Sequence, residues 1–167
     1  MTGKPLPFDP IARAAALWEE RIGPSTSMAA VTGVMRVQQI IQSEVDTALK
    51  PHGLTFARYE ALVLLYFSRQ RSLPMRVMGE RLQLHPTSVT NIVDRLEADG
   101  LAKRMSHPTD RRTTLVQITE EGLLRRERAT EAVTAIDFGL RGLTKRQRVM
   151  LTDLLAKIRK ASRDFAD

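Results

Sequence analysis

A mainly α-helical protein carrying one small β-hairpin is the fold class that the sequence predicts, and three observations predict it. Aromatic residues make up 5% of the 167 positions and hydrophobic residues 43%, so a core exists and is packed by Leu, Val, Ile, Ala and Met. Apolar residues recur at three- and four-residue intervals through most of the chain, which is the helical period. That period gives way once, to two short alternating runs over 101–105 and 113–118, separated by the turn-rich His107-Pro108-Thr109-Asp110-Arg111-Arg112. Such a break is the pattern of a hairpin.

In chain order, Asp9 and Pro10 come first: an acceptor for free helix amides, then a residue whose missing N–H has no partner to lose. Ile11, Ala14, Trp18 and Ile22 recur on one side until Gly23-Pro24 stops that helix. Trp18, the single tryptophan, reads either as a packing anchor fastening the helix to the body or as the wall of a ligand pocket. A second helix spans about 25–49, with Val34, Val37, Ile41, Val45 and Ala48 at helical spacing, and Pro51-His52-Gly53 breaks it. At roughly two dozen residues it is about 35 Å long, more than one small core covers. Thr55 caps a third helix over about 55–69, patterned by Tyr59, Leu62, Val63, Leu65 and Tyr66.

Between 73 and 119 the punctuation is dense. Leu73-Pro74 opens a short helix over 75–82, with Val77, Met78 and Leu82 on its apolar side. Gln83-Leu84-His85 is a tight turn, and Pro86 starts a helix over about 87–98 whose Val89, Val93 and Leu96 share the inner face. Its other side carries Thr87, Ser88, Thr90, Asn91, Asp94 and Arg95, the short polar groups and base that bond base edges and phosphates. Gly100 ends it. The hairpin follows, with Arg111 and Arg112 at its tip and Lys103 and Arg104 close by. Helix, tight turn, helix and hairpin make a winged helix-turn-helix. An arginine-tipped arm suits an A·T-rich minor groove, where the potential is most negative.

After the hairpin, Thr119 caps a helix to about 138, with Glu120 and Glu121 at its positive end and Leu123, Leu124, Ala129, Val133 and Ile136 as its stripe. Gly139 and Gly142 bend the chain. Thr144-Lys145-Arg146-Gln147 is a capping box opening the last helix, which carries Leu151, Leu154, Leu155, Ile158 and Phe165. The expected organisation is one domain in three parts: dimerisation helices over 1–54, the winged helix-turn-helix over 55–118, and dimerisation helices over 119–167. The flanking helices offer more apolar surface than the compact middle covers, so a second copy of the chain is expected to bury it.

The stretch from 82 to 119 resembles the MarR family of bacterial winged-helix transcription regulators. The matching residues are Thr87-Ser88-Val89-Thr90, Val93-Asp94-Arg95-Leu96-Glu97, Gly100-Leu101, Arg104, Asp110-Arg111-Arg112, Leu115 and Thr119. One departure lies in the turn, where a glycine is common and this chain has Gln83. The resemblance implies a homodimer, triangular in outline, presenting two recognition helices and two wings to one duplex. It implies Asp110 orienting Arg112, whose side chain enters the minor groove, and Arg76 meeting a phosphate. It also implies a pocket for a small organic acid, phenol or drug where the dimer helices meet the DNA lobe. Trp18, His52, Arg58, Tyr59 and Tyr66 are its candidate lining, a cation beside aromatics suiting an aromatic carboxylate. Subgroups with an extra N-terminal helix carrying a tryptophan are similar to this chain in that respect.

A net charge of +7 and a sequence pI of 10.4 fit a polyanionic partner, double-stranded DNA. The absence of cysteine excludes disulfides and thiol-based peroxide sensing. His52, His85 and His107 lack metal-ligand spacing, so no metal and no other cofactor is expected. No apolar run approaches a bilayer span and the N-terminus is no signal peptide, so a cytoplasmic protein without a membrane partner is expected. There is no phosphate-binding Gly loop, metal cluster or nucleophile with its base, and His107 beside Asp110 reads as a turn residue, so no enzyme is expected. The expected function is a ligand-responsive homodimeric repressor at a pseudo-palindrome with half-sites about 10 bp apart. Thr87, Ser88, Thr90, Asn91 and Arg95 serve the major groove and its flanking phosphates. The alternative is an architectural or weakly specific DNA binder without an effector.

Overall fold

The computed structural model describes residues 5–110 and 112–165. The helices are α1 (Pro10–Arg21), α2 (Thr26–Leu49), α3 (Phe56–Phe67), α4 (Met75–Leu82), α5 (Pro86–Ala98), α6 (Glu120–Ala135) and α7 (Lys145–Ala161). The strands are β1 (Ser72–Pro74), β2 (Ala102–Ser106) and β3 (Thr114–Ile118), antiparallel in the order β1-β3-β2. The mainly helical fold with a small β-wing is therefore as expected.

Local chemistry starts most helices where the sequence places them. Asp9 Oδ1 accepts from the amides of Ile11 at 2.8 Å and Ala12 at 3.2 Å. Thr119 Oγ1 accepts from the Gly122 amide at 3.0 Å, and both halves of the Thr144–Gln147 capping box are formed. Two expectations move. The helix expected to run to 138 stops at Ala135, because Asp137 and Phe138 turn the chain at φ 50° and 51°. The other change is β1, since Leu73-Pro74 reads in the sequence only as the opening of the helix that follows. Leu73 pairs with Val116 on β3, and Pro74, which has no amide to donate, sits at the end of an edge strand. Three residues are too few to show an alternating pattern.

The core lies between α3, α5, α6, the sheet and the last turns of α2. Leu49, Leu62, Leu65, Met78, Val89, Val93, Leu96, Leu101, Val116 and Val133 are its largest fully buried residues. At the base of the wing, α6 abuts the chain so closely that a Cβ on Gly122 would lie 2.1 Å from the Leu101 carbonyl oxygen. Neither α1 nor α7 buries a residue. Trp18 is 38% exposed on α1, which packs along α2.

Candidate nucleic-acid interface

Helix α5 is oriented by its buried side. Val89, Val93 and Leu96 point into the core, which leaves Thr87, Ser88, Thr90, Asn91, Asp94 and Arg95 exposed together on the opposite face. His85 stands before Pro86 in extended conformation, and its Nδ1 accepts the Thr87 amide at 3.3 Å. The Thr90 hydroxyl donates to the Pro86 carbonyl at 3.1 Å, leaving the oxygen's lone pairs outward.

Helix α4 braces α5 from behind. A Cβ on Gly79 would lie 3.3 Å from the Leu84 carbonyl oxygen and 3.4 Å from Val89 Cγ2, so α5 comes close to α4 at that glycine. Nothing in the local sequence pattern singles out Gly79, because the contact depends on how the two helices cross. Gln83 makes the turn at φ 53°, ψ 43°, and the Leu84 amide closes it on the Gly79 carbonyl at 3.0 Å. Arg76 projects from the first turn of α4, with its side chain 80% exposed and paired to Glu80 one turn on. Arg69 and Arg71 are exposed nearby in sequence.

The wing is β2, β3 and the turn between them. Asp110 organises that turn. Its Oδ1 accepts the Arg112 amide at 3.0 Å, its Oδ2 accepts the Thr113 hydroxyl at 2.6 Å, and its own carbonyl accepts the Thr113 amide at 3.0 Å. The Thr113 hydroxyl first, then the Arg112 amide, hold its carboxyl below the ordinary carboxylate value. His107 Nδ1 accepts the Asp110 amide at 3.2 Å from the other side. Asp110 thus acts on Arg112 through the main chain, with the Arg112 side chain exposed. Arg111 lies outside the described residues.

Arg104, close to the wing tip in sequence, and Asp94, on the outer face of α5, are joined to each other. The Arg104 guanidinium bonds Asp94 Oδ1 at 2.6 Å and also pairs with Glu97. Its amide donates to Glu97 Oε1 at 2.6 Å. One residue of β2 is thereby strapped to two of α5, so helix and wing move as a unit. Partial burial works against the Arg104 charge, but the hydrogen bonds that it donates to Asp94 and Glu97 outweigh it and raise its pKa.

The five candidate effector residues make different contacts. Tyr59 is buried on α3, with its hydroxyl 3.1 Å from Thr130 Oγ1 on α6. Tyr66 is 39% exposed, with the Arg126 guanidinium 4.0 Å above its ring. Arg58 pairs with Asp99 at 2.9 Å and lines a shallow depression with Thr55, Asn91, Ile92 and Arg95. The His52 carbonyl accepts from Arg125 at 3.1 Å, and Trp18 sits out on α1. Sequence reasoning missed Arg126, whose Nε is buried without a hydrogen-bond partner among the described residues. Among those residues no acidic, histidine or cysteine cluster suits a metal, and no helix is long and apolar enough to cross a membrane.

Comparison with known proteins agrees with this geometry. A profile described as the MarR family matches residues 52–113. The chain is 30% identical over 131 residues to the HTH-type transcriptional regulator MhqR of Bacillus subtilis, covering 78% of this chain and 89% of that protein. Among solved structures it is similar to Sco5413, a MarR family transcriptional regulator of Streptomyces coelicolor, at 48% identity and a TM-score of 0.78, over 85% of this chain and 99% of that one. It is also similar to CouR of Rhodococcus jostii bound to p-coumaroyl-CoA, at 26% identity and a TM-score of 0.68, over 80% of this chain and 92% of that one.

Proposed function

The chain belongs to the MarR family of transcriptional regulators, and from that premise we propose that it is a homodimeric repressor of a pseudo-palindromic operator, released by a small organic acid or phenol. The observation that carries this reading is the strap between α5 and β2. It joins a helix with an outward row of short polar side chains to an arm ending in the exposed Arg112. A major-groove reader and a minor-groove probe are thereby fixed at one spacing, as sequence-specific docking requires. Thr87, Ser88, Thr90, Asn91 and Arg95 take the major groove and its phosphates, Arg76 a phosphate, and Arg112 the minor groove.

Pairing of two copies is supported by apolar surface that one chain leaves open. Val31, Val34, Met35 and Val37 of α2, Leu17 and Trp18 of α1, and Val149, Met150, Leu154 and Ile158 of α7 are all exposed. Exposed apolar residues in such number on three helices are what an interface would cover. We propose that 1–54 and 119–167 form it and that 55–118 binds DNA. The CouR complex supports a small-molecule effector, and the relatives being transcriptional regulators supports a non-enzymatic role.

The test is selection from random duplexes with the full-length protein. The expected result is an inverted repeat with half-site centres about one helical turn apart. Recovery of no motif would favour the architectural DNA binder instead. On the recovered operator, Arg112→Ala is expected to lower affinity by about 1–3 kcal/mol and relax the A·T preference under the wing. Titration calorimetry against aromatic acids and phenols tests the effector, and heats indistinguishable from dilution across the panel would remove it from the proposal.

A further inference from the structure

The glutamine in the turn of the helix-turn-helix calls for a physical reason. Gln83 holds a left-handed backbone conformation, φ 53° and ψ 43°, which costs a residue bearing a Cβ about 1–2 kcal/mol. A glycine would adopt it without strain, but would lose what the side chain does. Gln83 Nε2 donates to Asp164 Oδ1 at 2.6 Å and approaches the Asp164 carbonyl at 3.4 Å, a contact between residues 81 apart in the chain.

Asp164 is held in place to receive that bond. Its other carboxylate oxygen accepts from Arg159 Nε at 2.6 Å, and the Asp164 amide donates to the Arg159 carbonyl at 3.0 Å. The Arg159 guanidinium lies 5.2 Å from the centre of the Phe165 ring. Arg163, at φ 55°, turns the chain back after α7. Helix α7 itself buries no residue. Its opposite end is fixed by Arg148, which grips both oxygens of Asp137 at 2.8 Å each. So α7 is a bar about 25 Å long, tied at one end to the turn after α6 and at the other to the turn that starts the recognition helix.

We infer that Gln83 and Asp164 form a brace that sets the angle of the helix-turn-helix on the dimer-forming helices, which makes both of them positioning residues for operator binding. The inference rests on the regulator reading. Any shift of α7 is transmitted to the turn 83–85, directly ahead of α5. Coupling of this kind needs a rigid element with two attachments, and α7 has both.

Two measurements on the full-length protein test the brace. In the first, Gln83→Gly, Asp164→Asn and the double variant are titrated against the selected operator. Each single change is expected to weaken binding about fivefold, the scale of one exposed charge-assisted hydrogen bond, and the double variant no further. The thermal midpoint of Gln83→Gly is expected to hold or rise, because backbone strain is relieved as the bond is lost. Unchanged affinity in the single variants, additive losses, or tighter binding would overturn the brace. In the second, hydrogen exchange on the DNA-free protein is expected to quicken at 83–85 and at 159–165 together in both single variants. Exchange that changes at one site only, or at neither, would also overturn it. This second reading separates the two ideas: wild-type protein that selects no operator defeats the regulator, while coupled exchange still upholds the brace.

Discussion

Gly122 has no room for a methyl group. A Cβ there would lie 2.1 Å from the Leu101 carbonyl oxygen and 2.8 Å from Ile118 Cγ1, one backbone and one packed branched side chain. Gly122→Ala must therefore push α6 off the wing base, which is expected to cost about 3 kcal/mol, or about 8 °C in thermal midpoint. Calorimetry of the variant checks it, and a loss below one degree would show that the junction relaxes freely. Asp110 offers a test by pH. Its carboxyl is held below its ordinary 3.8 by the Thr113 hydroxyl and then the Arg112 amide. A depressed folded value means that the turn's ordering is complete above the unfolded pKa and is lost as pH falls through the folded one. Amide resonances of Arg112 and Thr113 are expected to stay constant from neutral pH down to the ordinary carboxylate range and to move only below it. Asp110→Asn should abolish that transition. Movement already well above the carboxylate range would show that the Asp110 carboxyl does not order the turn.

Between elements, the Arg104 strap decides whether the wing is an independent arm. Asp94 and Glu97 lie three residues apart on one face of α5, and a single guanidinium on β2 engages both. Replacing Arg104 by Met keeps the stem and removes the charge, leaving two carboxylates facing each other. Because the pair is partly solvated, the expected loss of stability is only about 1 kcal/mol. Operator affinity should fall by more, about tenfold, because helix and wing no longer arrive preset. Denaturant unfolding and operator titration of one preparation compare the two, and equal losses would reduce the strap to a stabilising contact. The same scale explains why β1 escaped the sequence. Its three residues are a strand only because β3 pairs with them, and the Ile118 amide donates to the Arg71 carbonyl at 3.1 Å just beyond.

At the scale of the molecule, the open apolar faces of α1, α2 and α7 set the expectation. Leu154 and Ile158 are one helical turn apart on α7, 53% and 61% exposed. Changing both to Glu should leave each chain folded, since neither supports its own core, and should halve the mass measured by sedimentation equilibrium. Binding to the full palindrome should then weaken. The slope of log affinity against log salt should also drop towards half, because only one set of phosphates is neutralised. A variant that keeps the parent's mass would place the pairing surface elsewhere.

The sequence by itself determined the starts of the helices, the helix-turn-helix, the hairpin and the exposed row on α5. Those features rest on residues within four positions of one another: Asp9 on Ile11, Thr144 on Gln147, Val89 to Val93. Periodicity states which side of a helix is apolar, and steric rules state where it begins. It does not state what covers the apolar side, and so two readings of Trp18 stand open, of which neither follows from its spacing on α1. Tertiary structure alone decided the contacts made between distant segments: Gly122 against Leu101, Arg104 across to Asp94 and Glu97, β1 beside β3, and Gln83 against Asp164. Each needs two stretches delivered to within a few ångströms by the packing of everything between them, and no local pattern encodes that approach.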